Sequence, residues 1–256
     1  MRIISMTTIP SRILDTKPMI DDLLFNLNKV GFDYLIVNIP EVFEKTGEKY
    51  PKTPAWFFSD PRIVVNKCDD YGSATKFIPT LHWLRENGIH NGTLTLVDDD
   101  IFYSEYAFDN LFRRCKDDRI VGLSGMDLEG QKWWHIAPSN FAKKLDGENE
   151  IIAIPVHLLE GYGAPTYRIE HFDCWDEYWY AVRHIDEINI ADDILLANYA
   201  AFIDVKMCIV KGGDEISVLP YFKRDALHNK GGNKRRYKRI LKQMHERGLN
   251  NMGVGY

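Results

Sequence analysis

The chain has 256 residues, 45% of them hydrophobic, enough to bury a full core and close to the most that one core holds, so a single domain over 1–256 is expected. With 32 basic against 37 acidic residues the net charge is −5, which excludes a global field attracting nucleic acid or an anionic membrane; any anionic ligand must be held by a local cluster. Cys68, Cys115, Cys174 and Cys208 lie far apart with no C-x-x-C spacing, which argues against a zinc ribbon or a disulfide framework and for reduced, mostly packed thiols.

Residues 2–6 read as a first buried strand with no signal peptide ahead of it, ended near Pro10, which withdraws a ladder donor. A helix is predicted next, because Ile20, Leu23, Leu24, Leu27 and Val30 repeat at helical spacing and Gly31 stands at the stop position. Residues 34–37 and 62–65 read as the second and third strands, separated by an irregular, Pro- and aromatic-rich excursion over 40–61. A helix over 74–84 follows, and then a strand over 94–97. This alternation predicts an α/β fold, a mostly parallel sheet with helices on both faces. Such sheets bind ligands at the carboxyl ends of their strands, and Thr7-Thr8, Asp69-Asp70 and Asp98-Asp99-Asp100 all fall just past predicted strand ends. Beyond 120 the pattern is less regular: 120–123 and 151–159 are strand candidates, 192–201 a helix, and 233–247 a last helix with an apolar stripe of Tyr237, Ile240, Leu241 and Met244. No apolar stretch is long enough to span a bilayer, and a soluble, cytoplasmic protein is expected.

Carboxylates clustered at the end of a buried strand are costly unless something cationic neutralises them, and a divalent metal is the usual solution. On a strand Asp98 and Asp100 point one way and Asp99 the other, which makes a D-x-D pair of oxygen ligands suited to Mg2+ or Mn2+. The plainer reading is a loop of solvated carboxylates. In Asp70-Tyr71-Gly72-Ser73-Ala74-Thr75-Lys76, Gly72 permits a tight backbone and Lys76, in the first turn of a helix, sits where a phosphate is favoured; a solvated lysine is the alternative. Gly161 and Gly163 let backbone approach a ligand, and Tyr162 between them offers an aromatic face to a sugar ring, unless these residues only make a turn. Trp133-Trp134-His135 forms either an acceptor platform or packing. Asp192 and Asp193 open an apolar helix, where acidic residues are often simple caps. His228 to Arg236, with Lys230 and Lys234 about a Gly-Gly pair, concentrates positive charge suited to a diphosphate, or is a solvated basic face extending to Lys242.

Together, Thr7-Thr8-Ile9-Pro10-Ser11-Arg12, Asp70-Tyr71-Gly72-x-Ala74-Thr75-Lys76-x-x-Pro79-x-Leu81 and Val97-Asp98-Asp99-Asp100-Ile101 resemble nucleotide-sugar-dependent glycosyltransferases of the GT-A fold, over most of 1–105 and in scattered blocks to about residue 240. The resemblance implies a Rossmann-like GT-A sheet with a nucleotide-binding half (1–105) and an acceptor half ending in a basic helix (106–256). It implies that Thr8, Pro10, Arg12 and Asp70 border the nucleoside and that Lys76 approaches the nucleotide. Asp98 and Asp100 would hold ribose and metal beside Asp99, and His228 would complete the metal shell. Gly161, Tyr162 and Gly163 would line the donor sugar, with Lys230 and Lys234 at the diphosphate.

In inverting members an acidic pair at the place of Asp192-Asp193 supplies the general base. Here Asp-Asp replaces the commoner Glu-Asp; Asp193 is the first choice of base and Asp192 the second. If Asp193 is only a cap, same-face attack with the diphosphate as base becomes possible. The implied cofactors are Mn2+ or Mg2+ and a UDP- or GDP-sugar donor. The acceptor would be a glycan, lipid-linked or protein-linked hydroxyl, and no nucleic-acid partner is expected. The rival readings are a metal-dependent phosphohydrolase and a non-catalytic sugar- or nucleic-acid-binding module.

Overall fold

The computed structural model describes residues 1–129, 132–136, 153–210, 216–218 and 233–253, with backbone alone at 129, 132–136, 216–218 and 233–234. Strand β1 (Arg2–Thr7) is apolar on both faces: Ile3 packs into one cluster, Ile4 and Met6 into another, as in a strand covered on both sides. Helix α1 (Lys17–Val30) ends at Gly31, whose φ of 81° stops it, and lays Met19, Ile20, Leu23 and Leu27 on the Ile4 side. Strand β2 (Tyr34–Pro40) pairs parallel with β1. A hairpin of β3 (Val42–Phe43) and β4 (Glu48–Lys49) and a 3-10 turn (Ala55–Phe58) give structure to the excursion read as irregular. Strand β5 (Ile63–Cys68) then adds parallel to β2.

The chain continues through α2 (Ile78–Glu86), β6 (Thr93–Leu96), β7 (Ile101–Tyr103), α3 (Glu105–Arg114), β8 (Arg119–Gly122), β9 (Gly125–Glu129), β10 (Lys132–Ile136), β11 (Ile154–Val156), β12 (Leu158–Leu159), β13 (Thr166–Arg168), α4 (Trp175–Val182), α5 (Asp192–Phe202), β14 (Lys206–Ile209), β15 (Ile216–Val218) and α6 (Asn233–Glu246). The main sheet has eight strands in the order β11-β14-β8-β13-β6-β1-β2-β5. It is mostly parallel, with β13 antiparallel to β6 and β8 and β11 antiparallel to β14. Helices α1 and α3 cover one face, while α2, α4, α5 and α6 cover the other. Because β13 runs backwards, the loop leading into it lies at the carboxyl edge of its neighbours, where the Leu96 amide donates to the Pro165 carbonyl at 3.0 Å.

Several local expectations are corrected. The single helix read over 74–84 is a 3-10 turn (Gly72–Lys76) followed by α2, because Pro79 lacks an N–H, its ring excludes a helical residue four positions back, and it is tolerated only in a first turn. The strand read over 151–159 is two short strands in different sheets. Cys174 is exposed; all four cysteines are free. Among the described residues no helix is long and apolar enough to cross a membrane.

A buried polar network ties β1 and β2 to α2. The Ser5 hydroxyl pairs with that of Thr80 at 2.6 Å, and the Asn38 amide donates to both, at 3.1 Å and 2.8 Å. All three side chains are fully buried, so each group left unmatched loses its water without replacement. Thr80→Val is expected to cost about 1 kcal/mol in a urea titration, since it takes one bond from Ser5, which keeps the Lys76 carbonyl at 2.5 Å, and one from Asn38, which keeps Ser5; a change within experimental scatter would show that the network is not structural.

Candidate active site

Strand β6 ends at Leu96, so the aspartates lie in a turn rather than on the strand. The expected alternation is therefore lost, and Asp99 is the residue turned inward, 2% exposed. The Thr8 hydroxyl donates to its Oδ2 at 2.5 Å. The Arg12 guanidinium spans Asp99 Oδ1 at 2.8 Å and Asp100 Oδ2 at 3.1 Å. Arg12 is presented by a turn in which its amide donates to the Ile9 carbonyl, with Pro10 buried inside, and Tyr50 braces that turn through the Thr8 carbonyl at 2.8 Å. Burial lifts the Asp99 carboxyl to about 7; Arg12 and Thr8 oppose the rise, and Asp100 and Asp98 add to it. Asp100 is raised as well, by burial and then Asp98, against Arg12 and Lys76.

Asp70 organises the second wall. Its Oδ1 accepts from the Gly72 amide at 2.8 Å and the Thr75 hydroxyl at 3.0 Å, and its Oδ2 from the Glu44 amide at 2.9 Å. Gly72 has a φ of 59°, and a Cβ there would stand 2.4 Å from Ile190 Cγ2, so the turn admits only glycine. This turn delivers Lys76 to a buried position, 5% exposed, with Nζ 2.8 Å from Asp98 Oδ1 and 2.9 Å from Asp192 Oδ2. Burial alone would push the ammonium down, but Asp192, Asp98 and Asp193 more than reverse that and hold it well above its ordinary range. The placement in a first helical turn is thus corrected: Lys76 closes a 3-10 turn, and its charge is engaged by carboxylates of the protein. The cation expected beside the aspartates is supplied first by Arg12 and Lys76.

The third wall is the start of α5. Its N-cap is Ala191, with no side-chain cap bond, so neither aspartate caps the helix in the ordinary way. Asp192 faces Lys76. Asp193 accepts the Gly161 amide on Oδ1 at 2.8 Å and the Tyr237 hydroxyl on Oδ2 at 2.6 Å. Burial and then Asp192 push Asp193 up to about 8, with Lys76 and Tyr237 acting the other way. A Cβ at Gly161 would come within 2.5 Å of Lys76 Nζ and 3.3 Å of both aspartates, so a side chain there would displace the ammonium. Tyr162 shares its hydroxyl with Ser124 at 2.7 Å, and its carbonyl accepts from Tyr103 at 2.9 Å. The Gly163 carbonyl accepts from Leu123 at 2.7 Å.

The loop of Thr8, Pro10 and Arg12, the Asp70 turn, Lys76, Asp98, Asp99, Asp100, Gly161, Tyr162, Gly163, Asp192 and Asp193 are thereby linked along one edge of the sheet. His228 and Lys230 lie outside the described residues, as do the side chains of Lys234 and of Trp133, Trp134 and His135. The sequence places Tyr237 only on an apolar stripe; helical spacing reveals its buried ring but not what its hydroxyl meets. Nor did the sequence single out Ser124 or Tyr103, whose partners are remote in the chain.

Among the described residues no group of three or more His, Cys, Asp or Glu side chains is disposed to hold a metal ion. Asp98 and Asp100 each give one oxygen to a cation of the protein, and the other oxygen of each has no side-chain partner among the described residues. Two hard oxygens of this kind are the type of donor that Mg2+ or Mn2+ takes.

No protein family model matches the sequence, and no curated protein does. Among solved structures, the chain is similar to a 4-diphosphocytidyl-2C-methyl-D-erythritol synthase at TM-score 0.50 and 11% identity, over 88% of this chain and 95% of that one. The fold is Rossmann-like and of the GT-A kind. Two further structures lie near it. One is GalNAc-T7 with UDP, GalNAc and Mn2+, at TM-score 0.49 and 8% identity, over 86% of this chain and 44% of that one. The other is a nucleoside-diphosphate-sugar pyrophosphorylase from Vibrio cholerae RC9, at TM-score 0.49 and 12% identity, over 88% and 98%. At 11% identity the likeness to the synthase concerns the fold alone.

Removing the shared ammonium leaves Asp98 and Asp192 facing each other without compensation. Lys76→Met is expected to cost about 3 kcal/mol or more by chemical denaturation; a loss under about 1 kcal/mol, the worth of a surface pair, would mean that the buried bridge is not what holds these walls together.

Proposed function

We propose that the protein is a metal-dependent glycosyltransferase that moves a sugar from a UDP- or GDP-sugar to an acceptor hydroxyl, with inversion and with Asp193 as general base. The observation that carries this reading is the Lys76 bridge, which joins the Asp98 loop to the start of α5 through contacts of 2.8 Å and 2.9 Å and so puts candidate metal ligands and a candidate base in one site. A Mg2+ or Mn2+ held by Asp98 and Asp100, with His228 as a further ligand, would supply Lewis-acid neutralisation of the departing diphosphate.

The nucleoside lies along Thr8, Pro10, Arg12 and the Asp70 turn, with Asp99 anchoring that wall through Arg12. The sugar lies against Gly161, Tyr162 and Gly163, and Lys230 and Lys234 meet the diphosphate. Asp193 takes the acceptor proton; the acceptor oxygen bonds to the anomeric carbon as the carbon–oxygen bond to the diphosphate breaks and its electron pair leaves with the nucleotide. A carboxyl that ionises near neutrality is matched to this work, because it is basic enough to accept the proton and still ionised in a useful fraction.

With Mn2+ and a panel of UDP- and GDP-sugars, the expected product carries the inverted anomeric centre. Turnover is expected to rise with pH, reach half its maximum at about 8 and level off above that, as Asp193 loses its proton. Asp193→Asn is expected to keep nucleotide affinity and lose on the order of 100-fold or more in kcat. Wild-type turnover in that variant would remove Asp193 as base, and metal-dependent hydrolysis of phosphate esters without an acceptor would replace transfer by phosphohydrolysis.

A further inference from the structure

Tyr237 reaches Asp193 from the other end of the chain. It stands in the second turn of α6, its ring seated in the core cluster with Ile240, Leu241 and Met244, and it is 6% exposed. A ring so packed has one orientation, and its hydroxyl donates to Asp193 Oδ2 at 2.6 Å while the Gly161 amide holds Oδ1 at 2.8 Å. Two donors from separate elements therefore fix the plane of the carboxylate and leave one further lone pair on each oxygen for a third partner. The phenol is also an obligate donor, because burial, followed by the charge of Asp193, holds its ionisation far above the ordinary tyrosine range.

We propose that Tyr237 is the positioning residue for Asp193: it orients the carboxylate towards the acceptor hydroxyl and stabilises its ionised form. This rests on the reading of Asp193 as base. Among the described residues, the charged or titratable groups facing Asp193 are Asp192 beside it, Lys76, Glu160, Tyr162, Tyr167 and Tyr237. Of these, Lys76 and Tyr237 favour the carboxylate; Lys76 is already held by Asp98 and Asp192, whereas Tyr237 bonds Asp193 directly.

The test uses Tyr237→Phe, which keeps the ring, and Tyr199→Phe as a matched control. Tyr199 is another buried phenol of the same cluster, donating to the His171 carbonyl at 2.6 Å. Both variants are expected to lose similar thermal stability. Only Tyr237→Phe is expected to lower kcat, by about tenfold or more at neutral pH, with the donor KM unchanged. It alone is expected to move the midpoint of the pH–rate profile upward by about one pH unit or more, since removing a donor to the charged form raises the pKa. The same upward shift is expected in the titration of the Asp193 carboxyl, followed by carbon-13 NMR and assigned by its loss in Asp193→Asn. That titration decides the pairing whether or not any nucleotide sugar is turned over, and so separates failure of this inference from failure of the transferase reading. Equal midpoints in Tyr237→Phe, Tyr199→Phe and wild type would reduce Tyr237 to a core residue and overturn the proposal.

Discussion

One buried ammonium, that of Lys76, stands between a carboxylate from the β6 turn and a carboxylate from the start of α5. Everything at the carboxyl edge of the sheet is arranged around the cost of keeping that charge dry. Its position depends on a turn that only Gly72 can make, on Asp70 pinning that turn, and on the absence of a side chain at Gly161. Its partners, in turn, cannot be left alone, because an unpaired charge in a buried site is far more expensive than an exposed one. The bridge therefore welds the first half of the chain to the second at the place where a ligand would sit.

Even so, the charges do not balance among the described residues. Asp98, Asp99, Asp100, Asp192 and Asp193 face only Arg12 and Lys76 among the described cations of this edge. Part of the surplus is relieved by protons, since burial lifts Asp99 to about 7 and Asp193 to about 8. A divalent cation at Asp98 and Asp100 would relieve more, and its binding would be favoured by the same excess of negative charge. Strain of this electrostatic kind, tolerated where a plain core would exclude it, is a mark of sites that do chemistry.

Much of this was legible in the sequence, for reasons that can be named. Mostly apolar runs such as Ile3 to Met6, broken only by Ser5, announce strands buried on both faces, and the helical spacing from Ile20 to Val30 with Gly31 after it announces α1; those signals are local. Strand ends follow from the same signals, so the edge that gathers Thr8, Asp70 and the three aspartates could be foreseen. What could not be read was decided by contacts between distant parts of the chain. Lys76 reads as a lysine at a helix start, facing either a phosphate or solvent, until Asp192 is brought to it from more than a hundred residues away. Asp99, which strand alternation would turn away from its neighbours, is drawn inward by Thr8 and Arg12 because the strand stops at Leu96. Tyr237 shows its apolar ring to a periodicity argument and hides its hydroxyl.

The most direct measurement is thermal unfolding of wild type and Asp100→Ala with Mn2+ alone, with UDP or GDP alone, and with metal and nucleotide together. A ligand that binds only the folded state raises stability by about 2.7 kcal/mol at a hundred times its dissociation constant, on the order of 5 °C for a chain of this size. If the edge holds a cation and a diphosphate as one unit, metal and nucleotide together raise the wild-type Tm by more than the sum of their separate effects, and Asp100→Ala loses that excess. No joint effect in the wild type, or the same effect in Asp100→Ala, would contradict a divalent cation and a nucleotide diphosphate meeting at this carboxylate cluster.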